Sequence, residues 1–232
     1  MRYFVRSTHR YLSFFVSLQL LLWTISGIFF AFNKIELIRG EQYRLANPTH
    51  SKLGAVKIQD IFDAQSVLVT TRLGEVITIV QSPETKRYLN SEGEPLEKLT
   101  TSQAKDIVRK LTNLRPMSAA EITRMEAGAE FRGRALPLFR VRSEDDNNSQ
   151  INVYLNAYSG EIVAIRSPSW RIWDLMWGLH IMDWQDREDI DNLLLKIFSI
   201  LALISSLSGI LLFFRVDFRR PKRQEGVSEP DA

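Results

Sequence analysis

Two long apolar blocks without a charge constrain this chain more than any other feature of its sequence. Residues 11–32 hold 22 uncharged residues, and residues 197–214 form a second uncharged block that three leucines at 193–195 extend. A helix needs about 20 apolar residues to cross the ~30 Å hydrocarbon core of a bilayer. A buried core helix is the alternative for either block, and a cleaved signal peptide for the first. The first block is longer than the apolar h-region of a signal peptide, which has ~7–15 residues, so we predict two transmembrane helices.

The positions of the basic residues predict the orientation of these helices. Arginines precede the first block, and a basic tail follows the second, whereas residues 33–192 carry 21 Lys/Arg against 23 Asp/Glu. Cytoplasmic flanks are enriched in Lys and Arg. Both termini are therefore expected in the cytoplasm, with residues 33–192 on the outer side of the membrane. The clusters indicate contact with the lipid bilayer and do not favour nucleic acid.

The middle segment has the pattern of a folded α+β domain in two similar halves. Strands are predicted at residues 66–71, 75–81 and 86–90, after a short apolar-periodic stretch at 56–62, and again at 135–143, 150–156 and 161–166. Thr100 and Gln103 form a capping box before a helix that Pro116 ends. Ser118 and Glu121 repeat the capping signature. KRYLNSEGEPLE aligns with NVYLNAYSGEIV, which favours a tandem arrangement of two packed units.

Several segments resemble the PepSY domain and its associated transmembrane proteins. The helix at 102–114, LPLFRVR and NVYLNAYSGEIVAI are similar to a PepSY unit, in which an aromatic strand meets a Ser-Gly-Glu turn. The flanks resemble the transmembrane members: His9-Arg10 precedes a span with Ser26-Gly27, and Leu179-His180 precedes a span with Ser208-Gly209. The resemblance implies a bacterial inner-membrane protein with residues 33–192 in the periplasm. It also implies that this periplasmic domain binds or inhibits partner proteins, including proteases. For the larger members it implies iron acquisition, in some cases as haem-containing ferric-siderophore reductases.

Histidine is scarce, and only His9, His50 and His180 are available as axial ligands of b-type haem. His9 and His180 are predicted at opposite sides of the membrane, so they cannot hold one haem in one protomer. A haem at His180 would need His50, the equivalent histidine of a second protomer in a homodimer, or a ligand from a partner. The alternative is that His9 belongs to the basic topology signal and His180 to an interfacial helix.

Residues 169–192 carry four of the five tryptophans, namely Trp170, Trp173, Trp177 and Trp184. A helix would align Trp173, Trp177, His180 and Trp184 on one face. This face is interpreted as a tryptophan belt at the headgroups or as a haem-binding or partner-docking face. The acidic residues that follow have no spacing that requires a metal ion.

Catalytic signatures are missing from the sequence. There is no cysteine, which excludes a thiol nucleophile and a covalently attached c-type haem, and there is no hydrolase, zinc-protease, phosphate-loop or dinucleotide motif. We expect a non-catalytic accessory or regulatory subunit that binds another membrane or periplasmic protein. The alternatives are a b-haem electron-transfer subunit in ferric-iron reduction and a periplasmic protease inhibitor. The expected organisation is an N-terminal tail (1–10), first span (11–32), first PepSY-like half (33–99), PepSY domain (100–168), Trp-rich interfacial helix (169–192), second span (193–214) and basic tail (215–232).

Overall fold

The computed structural model of the chain describes residues 2–46, 57 and 63–217. His50 and the apolar-periodic stretch at Val56, Ile58, Ile61 and Phe62 lie outside the described residues. The described parts form five helices, α1–α5, and seven strands, β1–β7. The α+β class predicted from the sequence is confirmed, whereas the tandem PepSY arrangement remains a prediction.

The two apolar blocks form the two longest helices, α1 (Arg2–Phe32) and α5 (Leu193–Asp217). Within them, His9–Phe32 and Leu193–Leu211 are long and apolar enough to cross a membrane, yet only 17% and 6% of their residues are buried inside the chain. A core helix of a soluble protein would be mostly buried, so this exposure of apolar side chains is that of helices surrounded by lipid.

Two antiparallel sheets form the domain between these helices. The first has the order β1-β2-β3, from strands Ser66–Arg72, Glu75–Gln81 and Lys86–Leu89. The second has the order β4-β5-β6-β7, from Arg115–Ile122, Leu138–Glu144, Gln150–Asn156 and Ile162–Arg166. Tyr88 of the first sheet joins them, since its ring stacks on Tyr158 and its hydroxyl accepts a hydrogen bond from Asn156.

One face of the second sheet packs on α3 (Thr101–Leu111), and this packing forms the main core of the domain. Thr100 and Gln103 make the predicted capping box, which satisfies free N–H groups at the start of the helix. Alternate residues of β6 point to opposite faces: Val153 packs under α3, and Tyr154 packs on the other face with Phe131. The period-2 pattern in the sequence therefore sets the two sides of the sheet.

The second capping signature, at Ser118 and Glu121, does not start a helix. Both residues lie in β4, which pairs with β5 through the register Ala119↔Val141, and α3 already ends at Leu111. Pro116 lies in this edge strand beside a register shift, a position where a missing N–H removes no ladder bond. Pairing with the neighbouring strand overrides the local capping preference here.

A short segment connects α1 to the domain. It contains α2 (Ile35–Ile38) and a 3-10 turn (Glu41–Tyr43), with Gly40 between them in the left-handed region at φ +83°. The backbone N–H of Leu45 then bonds the carbonyl of Leu111 at the end of α3. Helix α4 (Pro168–Ile181) returns the chain from β7 toward the apolar helices, and Ser167 caps its first turn.

Candidate functional site

A stripe of side chains along α1 provides the contacts to both other apolar helices. These residues recur every three or four positions and so lie on one face of the helix: His9, Ser13, Val16, Gln19, Trp23, Ser26 and Phe30. His9 and Ser13 contact α5, whereas Trp23, Ser26 and Phe30 contact α4. Most members of the stripe are polar, and within an apolar helix such residues mark contacts or binding sites.

Helix α4 runs antiparallel to the half of α1 nearest the domain. Trp173 contacts Phe30, His180 contacts Ser26 and Trp23, and the amide of Gln19 donates to the carbonyl of Leu179. Residues later in α4 thus contact residues earlier in α1, as expected for antiparallel helices. His180 consequently lies beside Ser26, six residues before the end of the apolar block rather than at its end. At 1.5 Å per residue that places the imidazole about 9 Å along α1 from Phe32.

Ser26 lies within hydrogen-bond distance of the ring of His180. Its Oγ is 2.7 Å from His180 Nδ1 and 2.7 Å from the carbonyl oxygen of Leu22, and its single proton goes to one of the two. In the tautomer with the ring proton on Nδ1, His180 donates to Ser26, Ser26 donates to Leu22, and Nε2 carries a lone pair. Trp23 Nε1 also donates to the backbone carbonyl of His180 at 2.6 Å. Nε2 makes no hydrogen bond to any residue that the structure describes.

Aromatic side chains surround this imidazole. The ring of Trp177 is nearly parallel to it, at 11° and 6.3 Å between centroids, and Phe30 meets it edge-on at 5.6 Å. Trp173 stacks on Trp177 in turn, at 5.6 Å and 9°. The predicted grouping of Trp173, Trp177 and His180 is therefore present, and α1 adds Trp23 and Phe30 to it.

His9 has an equivalent partner at the other end of α1. Its Nδ1 lies 2.8 Å from Ser208 Oγ, and this hydroxyl donates to the carbonyl of Ser205 at 2.8 Å. In the corresponding tautomer His9 donates from Nδ1–H to Ser208 and carries its lone pair on Nε2. Ser13 Oγ lies 3.4 Å from each ring nitrogen but only 3.0 Å from Ser205 Oγ, which is its shorter contact.

The structure keeps the two histidines apart. His9 and the Ser26 that holds His180 are 17 positions apart on α1, or about 26 Å at 1.5 Å per residue. One ligand cannot bridge this distance through both imidazoles. Each histidine is instead paired with the serine of a Ser-Gly step in a different helix, so the chain carries two separate sites of similar construction.

Trp170 and Trp184 are placed differently from the other tryptophans. Trp170 is buried at the start of α4, with the guanidinium carbon of Arg166 4.2 Å from its ring centroid. Helix α4 ends at Ile181, because Met182 takes the left-handed conformation, so Trp184 lies in the following loop and is 59% exposed. The expectation that Trp184 shares a helical face with His180 is wrong, and so is a helix through the acidic residues to 192.

Asp174 anchors this acidic loop and was not singled out from the sequence. Its carboxylate is buried and pairs with the guanidinium of Arg132 and, at 2.6 Å, with that of Arg187. Arg132 lies in the loop before β5, and Arg187 lies in the loop after α4. The sequence signal is a lone carboxylate between apolar residues in WDLMW. A charge inside an apolar helix requires a partner.

Glu130 forms a second buried polar cluster on the same side of the domain. It accepts hydrogen bonds from Arg171 Nε at 2.6 Å, Asn152 Nδ2 at 2.7 Å and the Tyr154 hydroxyl at 3.0 Å. Burial alone would raise the pKa of Glu130, but these hydrogen bonds lower it below its usual value. The same carboxylate and burial raise the pKa of Tyr154. Glu130 is thus a fixed anion that ties α4 to β6.

These features define a membrane protein with two apolar transmembrane helices and an α+β domain between them. The family model of the PepSY-associated TM region matches residues 6–228. The chain therefore belongs to this family, as the sequence resemblance indicates. No curated protein and no solved structure matches the chain.

The residues around His180 fit an axial ligand of haem by their chemistry. An iron-ligating histidine usually donates its second ring N–H to an oxygen acceptor, which fixes the tautomer, and Ser26 Oγ lies 2.7 Å from His180 Nδ1, in position to accept such a bond. Aromatic walls are suited to an apolar macrocycle. Among the described residues no group of three or more His, Asp or Glu is placed to hold a metal ion, so a cluster-type metal centre finds no ligands there.

Ser26 and Ser208 belong to the Ser-Gly steps of the two spans, and the sequence alone gives them no partner. Small residues of this kind also let helices approach closely. Their distance from the histidines in the chain, 154 residues for Ser26–His180 and 199 for His9–Ser208, hides the hydrogen bonds. In the sequence, each span is accompanied by one histidine and contains one Ser-Gly step. This repetition is the signal from which the two histidine–serine contacts could be predicted.

Proposed function

We propose that the chain is a haem-binding electron-transfer subunit, in which His180 and His9 would hold haem iron near opposite sides of the membrane. The observation that supports this proposal is the shared geometry of the two histidines: each Nδ1 lies 2.7–2.8 Å from a serine hydroxyl that also bonds a helix carbonyl. In the tautomer in which Nδ1 donates to the serine, both Nε2 atoms are left as metal ligands. When bound, b-type haem would supply one-electron chemistry between ferric and ferrous iron.

The other residues of the two sites orient and enclose the ligands. Ser26 and Ser208 fix the imidazole planes, and Trp177 and Phe30 keep water from His180. Near each side of the membrane, the described residues provide one histidine. A haem held there through two protein ligands would therefore require a second one from elsewhere. A second copy of this chain would supply the equivalent histidine at both depths, which favours a homodimer. We take ferric iron as the electron acceptor because of the iron-acquisition role that the family resemblance implies.

The proposal also includes the orientation of the chain in the membrane. We place both termini in the cytoplasm of a bacterial inner membrane and the α+β domain in the periplasm, because the arginines lie in the two tails. A fluorescent reporter that folds only in the cytoplasm should be active when fused after Asp217. The same reporter inserted between Asn147 and Asn148, in the β5–β6 turn, should be dark. An active reporter in that turn contradicts the orientation.

A visible spectrum tests the haem proposal. The full chain, purified in mild detergent from cells supplied with haem, should give a b-type α band in the reduced-minus-oxidised difference spectrum. His180→Ala and His9→Ala should each remove about half of the absorbance. Ser199→Ala is the control, because Ser199 makes the same bond to a helix carbonyl but has no histidine partner. A flat spectrum from folded protein overturns the proposal.

His50 provides a further comparison within the same experiment. If His50→Ala leaves the band unchanged, the second ligand comes from another chain. If it removes the part of the band that depends on His180, then His50 is that ligand.

Partner binding by the domain is a second candidate function, favoured by strand β1. Its first residues are exposed on both faces, including Leu68 at 58%, and among the described residues β1 pairs only with β2. A free edge can accept an extended segment of another protein. A photo-crosslinking residue at Leu68 should form a specific adduct in native membranes, and one at the exposed Lys110 of α3 should not. Equal labelling at both positions contradicts this role.

A further inference from the structure

A basic cavity lies where the domain meets the apolar helices. It has a volume of about 610 Å³ and is bounded by α2, the loop before β5, β7 and the start of α4. Its charged lining consists of six arginines and four carboxylates: Arg39, Arg44, Arg132, Arg134, Arg166, Arg187, Glu41, Glu130, Asp174 and Glu188. The lining therefore carries a net positive charge.

The four carboxylates are already engaged. Asp174 pairs with Arg132 and Arg187, and Glu188 lies 3.6 Å from Arg132 Nε. Glu41 pairs with Arg44 at 3.4 Å. Glu130 is held by Arg171, Asn152 and Tyr154 from outside the cavity. None of them is left to neutralise the remaining three arginines, Arg39, Arg134 and Arg166.

Arg166 is the most constrained of these three. It is only 9% exposed, its Nε donates to the carbonyl of Glu130 at 2.8 Å, and its guanidinium stacks on Trp170. It forms no ion pair with a carboxylate of the described residues, and the charge of the nearby Glu130 carboxylate, which is already paired with Arg171, acts on it without direct contact. Burial, together with the charges of Arg134 and Arg132, lowers the pKa of Arg166 to about 10, so it remains a cation at neutral pH. A buried cation without a counter-ion is costly unless an anion accompanies it.

Two more arginines reach the same cavity from opposite sides. Arg39 follows α2, and Arg134 lies in the loop before β5; both are exposed and form no ion pair with a described residue. Arg132 adds a buried Nε that has no hydrogen-bond partner among the described residues. Guanidinium groups converging from three elements match the several oxygens of one phosphate group.

The cavity lies close to the end of the first apolar helix, where lipid headgroups are expected. Ile35 and Ile38 line it directly after the end of α1 at Phe32, and Trp173 and Trp177 line it from α4. The cavity therefore opens at the level where the apolar surface of α1 ends and tryptophans are favoured, which is the headgroup region of a bilayer. A ligand there meets arginines on the domain side and apolar side chains on the membrane side.

We propose that this cavity binds the phosphate group of an anionic phospholipid, with Arg166 and Arg134 as its principal contacts and Arg39 closing it from α2. The apolar lining accommodates the start of the lipid tails. The charged contacts of this site, Arg39, Arg134 and Arg166, are not among the residues around His180, although Trp173 and Trp177 border both places. Free phosphate has the same recognising chemistry and is distinguished by the experiment.

Native mass spectrometry of the full chain in detergent, titrated with phosphatidylglycerol or phosphatidylcholine, tests the proposal. Phosphatidylglycerol should bind the wild type about tenfold more tightly than it binds Arg134→Gln, since one charge-assisted bond is lost. Arg166→Gln should have the same effect. Arg109→Gln is the control, because Arg109 is an exposed arginine on α3, which packs on the opposite face of the second sheet. Phosphatidylcholine should bind all four proteins weakly and equally.

The Arg134 variant keeps the test valid if Arg166→Gln fails to fold, because Arg134 is exposed and unpaired among the described residues. Inorganic phosphate should displace phosphatidylglycerol from the wild type at millimolar concentration. If inorganic phosphate raises the melting temperature of the wild type but not of the variants, while the lipid binds all equally, the site recognises a free anion and the lipid proposal is overturned. Equal binding of lipid and phosphate by wild type and both variants overturns the site itself.

Discussion

Ser26 Oγ lies 2.7 Å from His180 Nδ1 across the contact between α1 and α4, and 2.7 Å from the carbonyl oxygen of Leu22 on its own helix. When Ser26 donates to Leu22, it accepts from Nδ1–H and orients the imidazole with Nε2 free to bind a metal. A residue that fixes the tautomer of a ligand contributes to affinity without touching the metal. The same relation between Ser208 and His9 gives the chain two such sites.

Ser26→Ala should weaken haem binding at His180 by about 10–100-fold, the usual effect of removing an outer hydrogen-bond acceptor from a metal ligand. The imidazole would lose its orientation and its fixed tautomer. Haem titration of the purified apoprotein, followed by absorbance, measures the change. Ser199→Ala removes a serine with the same helix bond but no histidine, and it should leave the affinity unchanged. An identical loss in both variants would refute the role of Ser26.

The two histidine sites should behave independently, because about 26 Å separates them along α1. The double variant His9→Ala/His180→Ala should lose an amount of α band equal to the sum of the two single losses. Quantitative difference spectra at equal protein concentration provide the measurement. Loss of the whole band in either single variant would mean that both histidines serve one haem, against the separation seen here.

Asp174→Asn should destabilise the protein by about 3 kcal/mol, because the change leaves two guanidinium groups beside a neutral amide. The Asp174 side chain is only 3% exposed. Thermal unfolding of the detergent-solubilised chain, followed by tryptophan fluorescence, measures the loss. The matched control is Asp106→Asn, whose exposed pair with Arg109 should contribute less than about 0.5 kcal/mol. Similar losses in the two variants would contradict the importance of the buried pair.

Glu130 should make the free energy of unfolding depend on pH in the acidic range. Its folded pKa lies below the unfolded value of about 4.3, so its contribution is fully present above that value and is lost as the pH falls through the folded pKa. Unfolding midpoints measured between pH 7 and pH 3 should fall less steeply in Glu130→Gln than in the wild type. Glu126→Gln, at an exposed carboxylate without an ion pair to a described residue, should keep the wild-type slope.

Gly40→Ala should be more destabilising than Gly74→Ala, although both glycines have positive φ. A Cβ at Gly40 would lie 2.8 Å from Ile165 Cβ, whereas a Cβ at Gly74 would meet nothing within 4 Å. The strained backbone costs both variants about 1–2 kcal/mol, and the clash adds about 1–3 kcal/mol at Gly40. Melting temperatures of the two variants test the difference. Equal values would mean that the segment after α1 moves away from β7 without cost.

Local patterns predict those parts of the fold that local physics determines. The apolar blocks, the capping box at Thr100 and six of the seven strands follow from hydrophobicity, periodicity and turn residues. The signature at Ser118 and Glu121 fails because strand pairing with β5 outweighs a weak capping preference. The helix through Trp184 fails because the ion pairs of Asp174 hold the following loop against α4.

The candidate site is predicted only in part, for a similar reason. His180, Trp173 and Trp177 share one helix, so their grouping follows from spacing. Their contacts with Ser26, Trp23 and Phe30 depend on α4 turning back along α1, and no pattern in either segment encodes that path. The arginine-lined cavity is hidden in the same way, because Arg39, Arg134 and Arg166 lie far apart in the chain.

Helix α4 starts one residue after the end of β7, since Ser167 alone separates Arg166 from Pro168. Its 14 residues form a helix of about 21 Å that extends from the sheet to the region of His180. No longer loop lies between the sheet and this helix, so a change in the tilt of the domain relative to the membrane is expected to rotate the helix and His180 with it. The sheet and His180 are thus joined by one continuous helix, so a partner that reorients the sheet is expected to reorient the imidazole as well.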